Sequence, residues 1–151
     1  MLKNTLAKFL LSGSTNMGVD LGLLVLRLWS GLFMLIGHGW GKLHMADTSG
    51  FPDPLGIGNQ LSWIGAVASE VVFTGMIALG LFTRAAAIPA AFTMLIAAFV
   101  IHANDSFFMA GGPAKEPALM YLFSYIAILL AGPGKFSLDH VIFGRGHDTR
   151  R

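Results

Sequence analysis

Residues 61–82 read LSWIGAVASEVVFTGMIALGLF, and Glu70, near the middle, is the one ionisable side chain in the run. A segment of this length and composition crosses the ~30 Å hydrocarbon core of a bilayer as a helix. A carboxylate at that depth is costly unless a partner, a proton or a water-filled cavity neutralises it. The segment therefore assigns the chain to a membrane and raises the question of what answers Glu70.

The rest of the chain agrees with that assignment. Of its 151 residues, 54% are hydrophobic and 12% charged, and the mean hydropathy is +0.67; the charge content is about half the roughly 25% usual for soluble domains. Three further apolar stretches, 19–41, 85–103 and 117–131, approach the same spanning length, the last being short. None shows strand alternation, and in hydrocarbon a helix satisfies its own backbone groups, so the runs are read as helices. The expected fold is all-α: an integral membrane four-helix bundle forming one domain over 1–151. The eight methionines and twelve phenylalanines are read first as lipid-facing and packing residues.

The pI near 9.2 does not indicate nucleic acid, because the basic residues gather at span ends, where they report topology. Lys3, Lys8, Arg84, Lys135, Arg145, Arg150 and Arg151 fall on one side, and Lys42 and Lys115 on the other. Both termini are therefore expected to be cytoplasmic. The absence of cysteine excludes thiol nucleophiles and cysteine-ligated clusters or zinc within this chain, so electron chemistry requires a bound cofactor or a partner.

Residues 1–18 carry too short an apolar patch for a cleaved signal peptide, and Leu2, Leu6, Phe9 and Leu10 share one face of a short interfacial helix. The long connection 42–60, with Pro52 and Pro54, is expected to fold back over the mouth of the bundle. A tight turn at Phe82, Thr83 and Arg84 makes the second and third spans antiparallel neighbours. The apolar connection 104–116, with Phe107, Phe108 and Met109, is suited to the membrane interface. Gly132, Pro133 and Gly134 end the last span, leaving 135–151 as a polar, loosely held cytoplasmic tail. Gly18 with Gly22, Gly37 with Gly41, Gly65 with Ser69, and the alanines at 85 to 87, 90 and 91 permit close helix approach, read as packing within the monomer ahead of a homo-oligomer seam.

On the first span Arg27, Gly31, Met34, His38 and Lys42 recur at helical spacing, a stripe that cannot face lipid along its whole length. The expected partner of Glu70 is Arg27, whose guanidinium fork suits a carboxylate. Such a pair either lines a ligand or proton path or simply specifies helix register. His38, Lys42, His44, Asp47, Asp53, His102, Asp105 and Glu116 collect at the opposite end from the termini, either as a solvated rim or as a proton, quinone-headgroup or metal site. No paired-histidine motif is present, and no bound metal is expected. Tyr121 and Tyr125, four apart, either pack or direct hydroxyls toward Glu70 or a carbonyl ligand. The candidate catalytic residues are thus Glu70, Arg27 and His38, and the candidate cofactor-binding residues His102, Tyr121 and Tyr125. The GHGWGK stretch (37–42) ends a membrane helix and is not read as a phosphate loop.

At LRLWSGLFMLIGHGWGKL (26–43), VASEVVFTGMIALGLFTRAAA (67–87), AAFVIHAND (97–105) and EPALMYLFSYIAILLAGPGKFSLD (116–139), the chain resembles the DoxX family of small four-span bacterial membrane proteins. The resemblance covers about residues 15–140. It implies a multi-pass protein of the bacterial inner (plasma) membrane and contact with the quinone pool, since the family takes its name from likeness to a membrane subunit of a thiosulfate:quinone oxidoreductase. Other members are linked to oxidative-stress or redox complexes. By position Arg27, His38, Glu70 and His102 are the family-like residues, and quinone chemistry is an analogy at the level of the fold.

The leading expectation is a membrane subunit of a redox system, an oxidoreductase subunit of quinone-linked type, working with a soluble or membrane redox partner. The alternatives are a small transporter or metal-handling protein, and a non-catalytic anchor for a soluble oxidoreductase.

Overall fold

The computed structural model describes residues 16–144, so the expected interfacial helix within 1–18 lies almost wholly outside the described residues. Four helices form the bundle: α1 Met17–Leu43, α2 Asn59–Leu79, α3 Thr83–Ile101 and α4 Glu116–Ala131. A short α5, Leu138–Phe143, follows. Among the described residues there is no β-strand, only one isolated bridge between Ser106 and Ala114. The first three helices are long and apolar enough to cross a membrane; α4, 16 residues and equally apolar, is shorter.

Asn16 caps α1, its side chain accepting from the Gly18 amide at 2.8 Å, which satisfies one of the helix's first free N–H groups. Pro117 opens α4, where its missing N–H costs nothing. Pro89 lies inside α3. The Ser69 hydroxyl of α2 donates to its carbonyl at 3.2 Å, tying the two helices together at that level.

The second span ends earlier than its hydropathy suggests. Gly80 adopts φ +72 and Phe82 φ +44, both left-handed, so the chain leaves the helix at Leu79 and turns directly into α3. The Leu81 amide reaches the Met76 carbonyl at 2.9 Å, the long-range bond that closes such a helix end.

Each long helix contains one π-helical turn: Leu35–Gly39 in α1, Ala68–Phe73 in α2 and Ala97–Ile101 in α3. A π turn accommodates an extra residue, and such turns concentrate at functional sites. In α1 the buried positions run Leu23, Arg27, Ser30, Gly31 and Met34, then skip to Gly39. The inserted residue turns His38 outward, which corrects the uninterrupted stripe expected from the sequence.

Packing divides into two seams. Ala86, Ala87, Ala90, Met94 and Ala98 of α3 share the core with Leu119, Leu122, Tyr125 and Ile128 of α4, small residues on one helix receiving large ones from the other. Between α1 and α2 the approach is closer. A methyl group on Gly31 would come 2.7 Å from the Thr74 carbonyl oxygen, and one on Gly39 would come 2.6 Å from that of Glu70. The expected small-residue contacts at Gly22, Gly37, Gly41 and Gly65 are not made, because each of these faces open space. Large exposed side chains such as Val25, Trp29, Phe33, Ile36, Phe92, Phe99 and Phe123 instead cover the outside of the bundle, as a lipid solvent requires.

The segment after α4 is not loosely held within the described residues. Gly132 and Gly134 take left-handed φ values of +88 and +74, the chain doubles back, and Ser137 and Asp139 become buried beneath the end of the bundle that carries α1's first turn and the α2–α3 turn.

Candidate functional site

Glu70 sits in the π turn of α2 with 5% of its side chain exposed, and its partner is Lys42. The Lys42 ammonium donates to both carboxylate oxygens, Oε1 at 2.6 Å and Oε2 at 2.5 Å. Two features bring it there. Gly39, lacking a side chain, lets α1 lie directly on the Glu70 backbone, and Lys42 follows one turn later. The Trp63 indole N–H then holds the Lys42 carbonyl at 2.8 Å, fixing the end of α1 against α2. Thr74 donates its hydroxyl to the Glu70 carbonyl at 2.6 Å.

The expected Arg27–Glu70 pair does not form. Arg27 is fully buried, but its guanidinium donates to the carbonyls of Ile77 and Ala78 at 3.4 Å each and to that of Phe136. The Ile77 and Ala78 carbonyls lie about 10–12 Å farther along α2 than Glu70 at the rise of an α-helix, beyond what a single arginine spans while remaining hydrogen-bonded. Its opposite charge within electrostatic reach is Asp139.

Asp139 itself is fully buried. Its carboxylate accepts from the Phe82 amide at 2.7 Å and from the Thr83 amide and hydroxyl at 2.9 and 2.8 Å. It thereby caps α3 and holds the left-handed Phe82. Asp20, also buried, accepts from the Lys135 amide at 3.0 Å, with the Lys135 ammonium 3.9 Å away. Arg27, Asp139 and Asp20 thus form a polar lock between the doubled-back C-terminal segment and the bundle.

Lys42 and Glu70 open onto a cleft of about 540 Å³ between α2 and α3. Its walls are chiefly apolar, including Phe73, Phe92 and Ile96, and Pro52, Pro54 and Leu55 of the long loop form its roof. This size and lining are those of a small-molecule site. Asp53 pins the roof, accepting from the Ser62 hydroxyl at 2.7 Å and from the amides of Gly58 and Ile57 at 2.7 and 3.0 Å. These bonds, led by that from Ser62, hold its carboxyl below the ordinary aspartate range. Ser49 does the same for Asp47, through its backbone amide first and then its hydroxyl.

The remaining candidates divide. His102 lines the cleft, its Nδ1 2.6 Å from Asp105 Oδ2; a carboxylate there leaves Nε2 as the other functional nitrogen. His38 is exposed and meets Tyr121 edge-on, with centroids 5.8 Å apart. Tyr121 stacks on Tyr125 at 6.2 Å, and the fully buried Tyr125 donates to the Ser30 carbonyl at 3.1 Å, so neither tyrosine lines the cleft. The expected convergence at the loop end is only partial, because its members bond locally. His44 approaches the Trp40 carbonyl, Asp47 holds Ser49, and Glu116 accepts from Met109. Among the described residues no three such side chains are placed to hold a metal ion.

Lys42 belongs to the same stripe as Arg27 and answers Glu70, although its place at the end of the span marks it in the sequence as a charge at the membrane surface. Asp139 follows Ser137, a helix-capping serine, and that pattern was the available signal for an ordered segment.

The family model described as DoxX matches residues 22–103, more than half of the chain, including most of α1, all of α2 and α3, and both Lys42 and Glu70. A Haemophilus influenzae protein described as uncharacterized is 29% identical over 134 residues, spanning 84% of this chain and 87% of that protein. No solved structure matches the chain.

Proposed function

The chain belongs to the DoxX family, and from that footing we propose that it is a membrane subunit of a redox system that takes a quinone or a similar lipid-soluble carrier into the α2–α3 cleft. The observation that carries the reading is the cleft itself, an apolar chamber with a half-buried, internally neutralised Lys42–Glu70 pair on its wall. An intramembrane ionisable pair beside a cavity is by default a functional site. The residues fit an uncharged ring bearing carbonyls. Apolar walls accept the ring and tail, and the Lys42 ammonium, with two protons on Glu70, has a third to offer.

A bound quinone would supply the electron acceptance that no side chain here provides. The chain's own residues would bind and orient the carrier, exclude water, and hold a proton at Glu70 Oε1 or Oε2 or at the His102 ring. The electron donor is then a soluble or membrane partner. The reading also takes the protein as a multi-pass component of the bacterial inner membrane, with α4 as a fourth, short span and both termini cytoplasmic. The seven basic residues of the terminal side, Lys3, Lys8, Arg84, Lys135, Arg145, Arg150 and Arg151, against Lys42 and Lys115 of the loop side, support that orientation.

The test is extraction and mass spectrometry of small molecules retained by the protein in native-like lipid discs, together with the effect of decylbenzoquinone on its melting temperature. A retained quinone and a raised melting temperature in the wild type, both lost in Glu70→Ala, support the reading; neither in the wild type sinks it.

A further inference from the structure

We infer that the Lys42–Glu70 pair is a charge filter, restricting the cleft to uncharged, carbonyl-bearing molecules with an apolar chain, drawn sideways from the bilayer, and rejecting carboxylate amphiphiles such as fatty acids. The inference rests on the cleft being the ligand site, but not on the ligand being a quinone.

The sideways route follows from the rim. Leu61, Phe92 and Ile101 line the cleft and keep 58%, 53% and 44% of their surface exposed, an open apolar rim on two helices long and apolar enough to cross a membrane. The cleft therefore opens toward the lipid between α2 and α3. Molecules reaching it from that side are chain-bearing amphiphiles, differing mainly in the charge of the head.

The filter follows from the charge inventory of the lining. Its ionisable members are Lys42, Glu70 and His102. Lys42 is occupied by both oxygens of Glu70, so the pair is neutral as a unit. His102 faces Asp105. Arg27 is committed to three carbonyls about two turns away. A neutral carbonyl can accept the remaining Lys42 proton without disturbing the pair. A carboxylate would bring a second negative charge beside Glu70 in a medium of low dielectric, with no further cation on the wall to answer it.

The consequence is a switch by one substitution. Glu70→Gln keeps the size of the side chain and removes its charge, leaving Lys42 as a lone cation at the end of an apolar cleft, the arrangement that binds a fatty carboxylate. Specificity of this kind comes from a repulsive element, and removing it should invert the preference.

The experiment uses the full chain in discs of zwitterionic lipid at pH 8, with three probes at equal mole fraction in the lipid: 2-tridecanone, dodecanoate and decylbenzoquinone. Melting-temperature shifts and the apparent dissociation constants drawn from them are compared. The wild type should prefer the ketone to dodecanoate by about tenfold or more; Glu70→Gln should reverse that order; Lys42→Gln with Glu70→Gln should gain nothing for dodecanoate. Equal binding of ketone and dodecanoate by the wild type overturns the inference, as does a folded Glu70→Gln protein that gains no affinity for dodecanoate. If Glu70→Gln does not fold, the wild-type preference and the double variant carry the same decision. Ketone selectivity without decylbenzoquinone binding keeps the filter and removes the quinone reading.

Discussion

Removing the Lys42 ammonium would strand a carboxylate with 5% of its side chain exposed, and the energetic signature of that loss separates the two arginine and lysine candidates. Lys42→Met alone is expected to destabilise the protein by about 2–3 kcal/mol, less than for a wholly buried pair because Lys42 keeps 30% exposure. Lys42→Met combined with Glu70→Gln should recover most of it, giving a coupling energy of about 1 kcal/mol or more in unfolding titrations of the micelle-solubilised protein. Arg27→Met and Glu70→Gln should instead add to within ~0.5 kcal/mol, since they share no partner. An Arg27–Glu70 coupling as large as that of Lys42 would contradict the geometry. Arg27 was legible as a buried cation in need of a partner. Its actual partners, carbonyls of Ile77, Ala78 and Phe136, carry no side-chain signature, because every residue has a carbonyl and only the fold decides which are close.

At the scale of the helices, the π turn of α1 makes a prediction that an ordinary helix would not. Gly37 lies within the Leu35–Gly39 turn and faces open space. Deleting it should convert the turn to regular α-helix, leave Gly39 and Lys42 facing α2, and retain the fold with a melting temperature close to that of the wild type. Deleting Gly22 from the regular part of α1 should rotate everything on one side by about 100° relative to the other and prevent folding. Circular dichroism melts of the two deletions distinguish them. The roof of the cleft makes a pH prediction. Asp53's carboxyl is depressed by its bonds to Ser62 and the Gly58 and Ile57 amides, so its contribution to loop order is complete above the ordinary aspartate range, about pH 4. It is lost as pH falls through the lower folded-state value. Amide exchange in residues 51–58 should therefore stay protected through neutral and mildly acidic pH, and Asp53→Asn should abolish that protection at pH 7.

For the molecule as a whole, the C-terminal segment is a structural closure. Asp139→Ala removes the acceptor for the Phe82 and Thr83 amides and the Thr83 hydroxyl and the carboxylate whose charge acts on Arg27. It should cost about 2 kcal/mol or more. Truncation after residue 134, which also removes the Phe136 carbonyl from Arg27, should cost more still; a truncated protein that melts like the wild type would refute the closure. The sequence by itself determined that this is an all-helical membrane protein, where its apolar helices run, that a turn joins the second to the third, and that Glu70 requires an answer. Hydropathy and helical spacing are summed along the chain, and lipid leaves the backbone no alternative to the helix. Only the tertiary structure decided that Lys42 gives that answer, that His38 turns outward, that the tail folds back on Arg27, and that a cleft opens between α2 and α3. Each of these depends on the depth and rotation of one helix against another, and a single extra residue in a π turn changes both without changing the hydropathy of the chain.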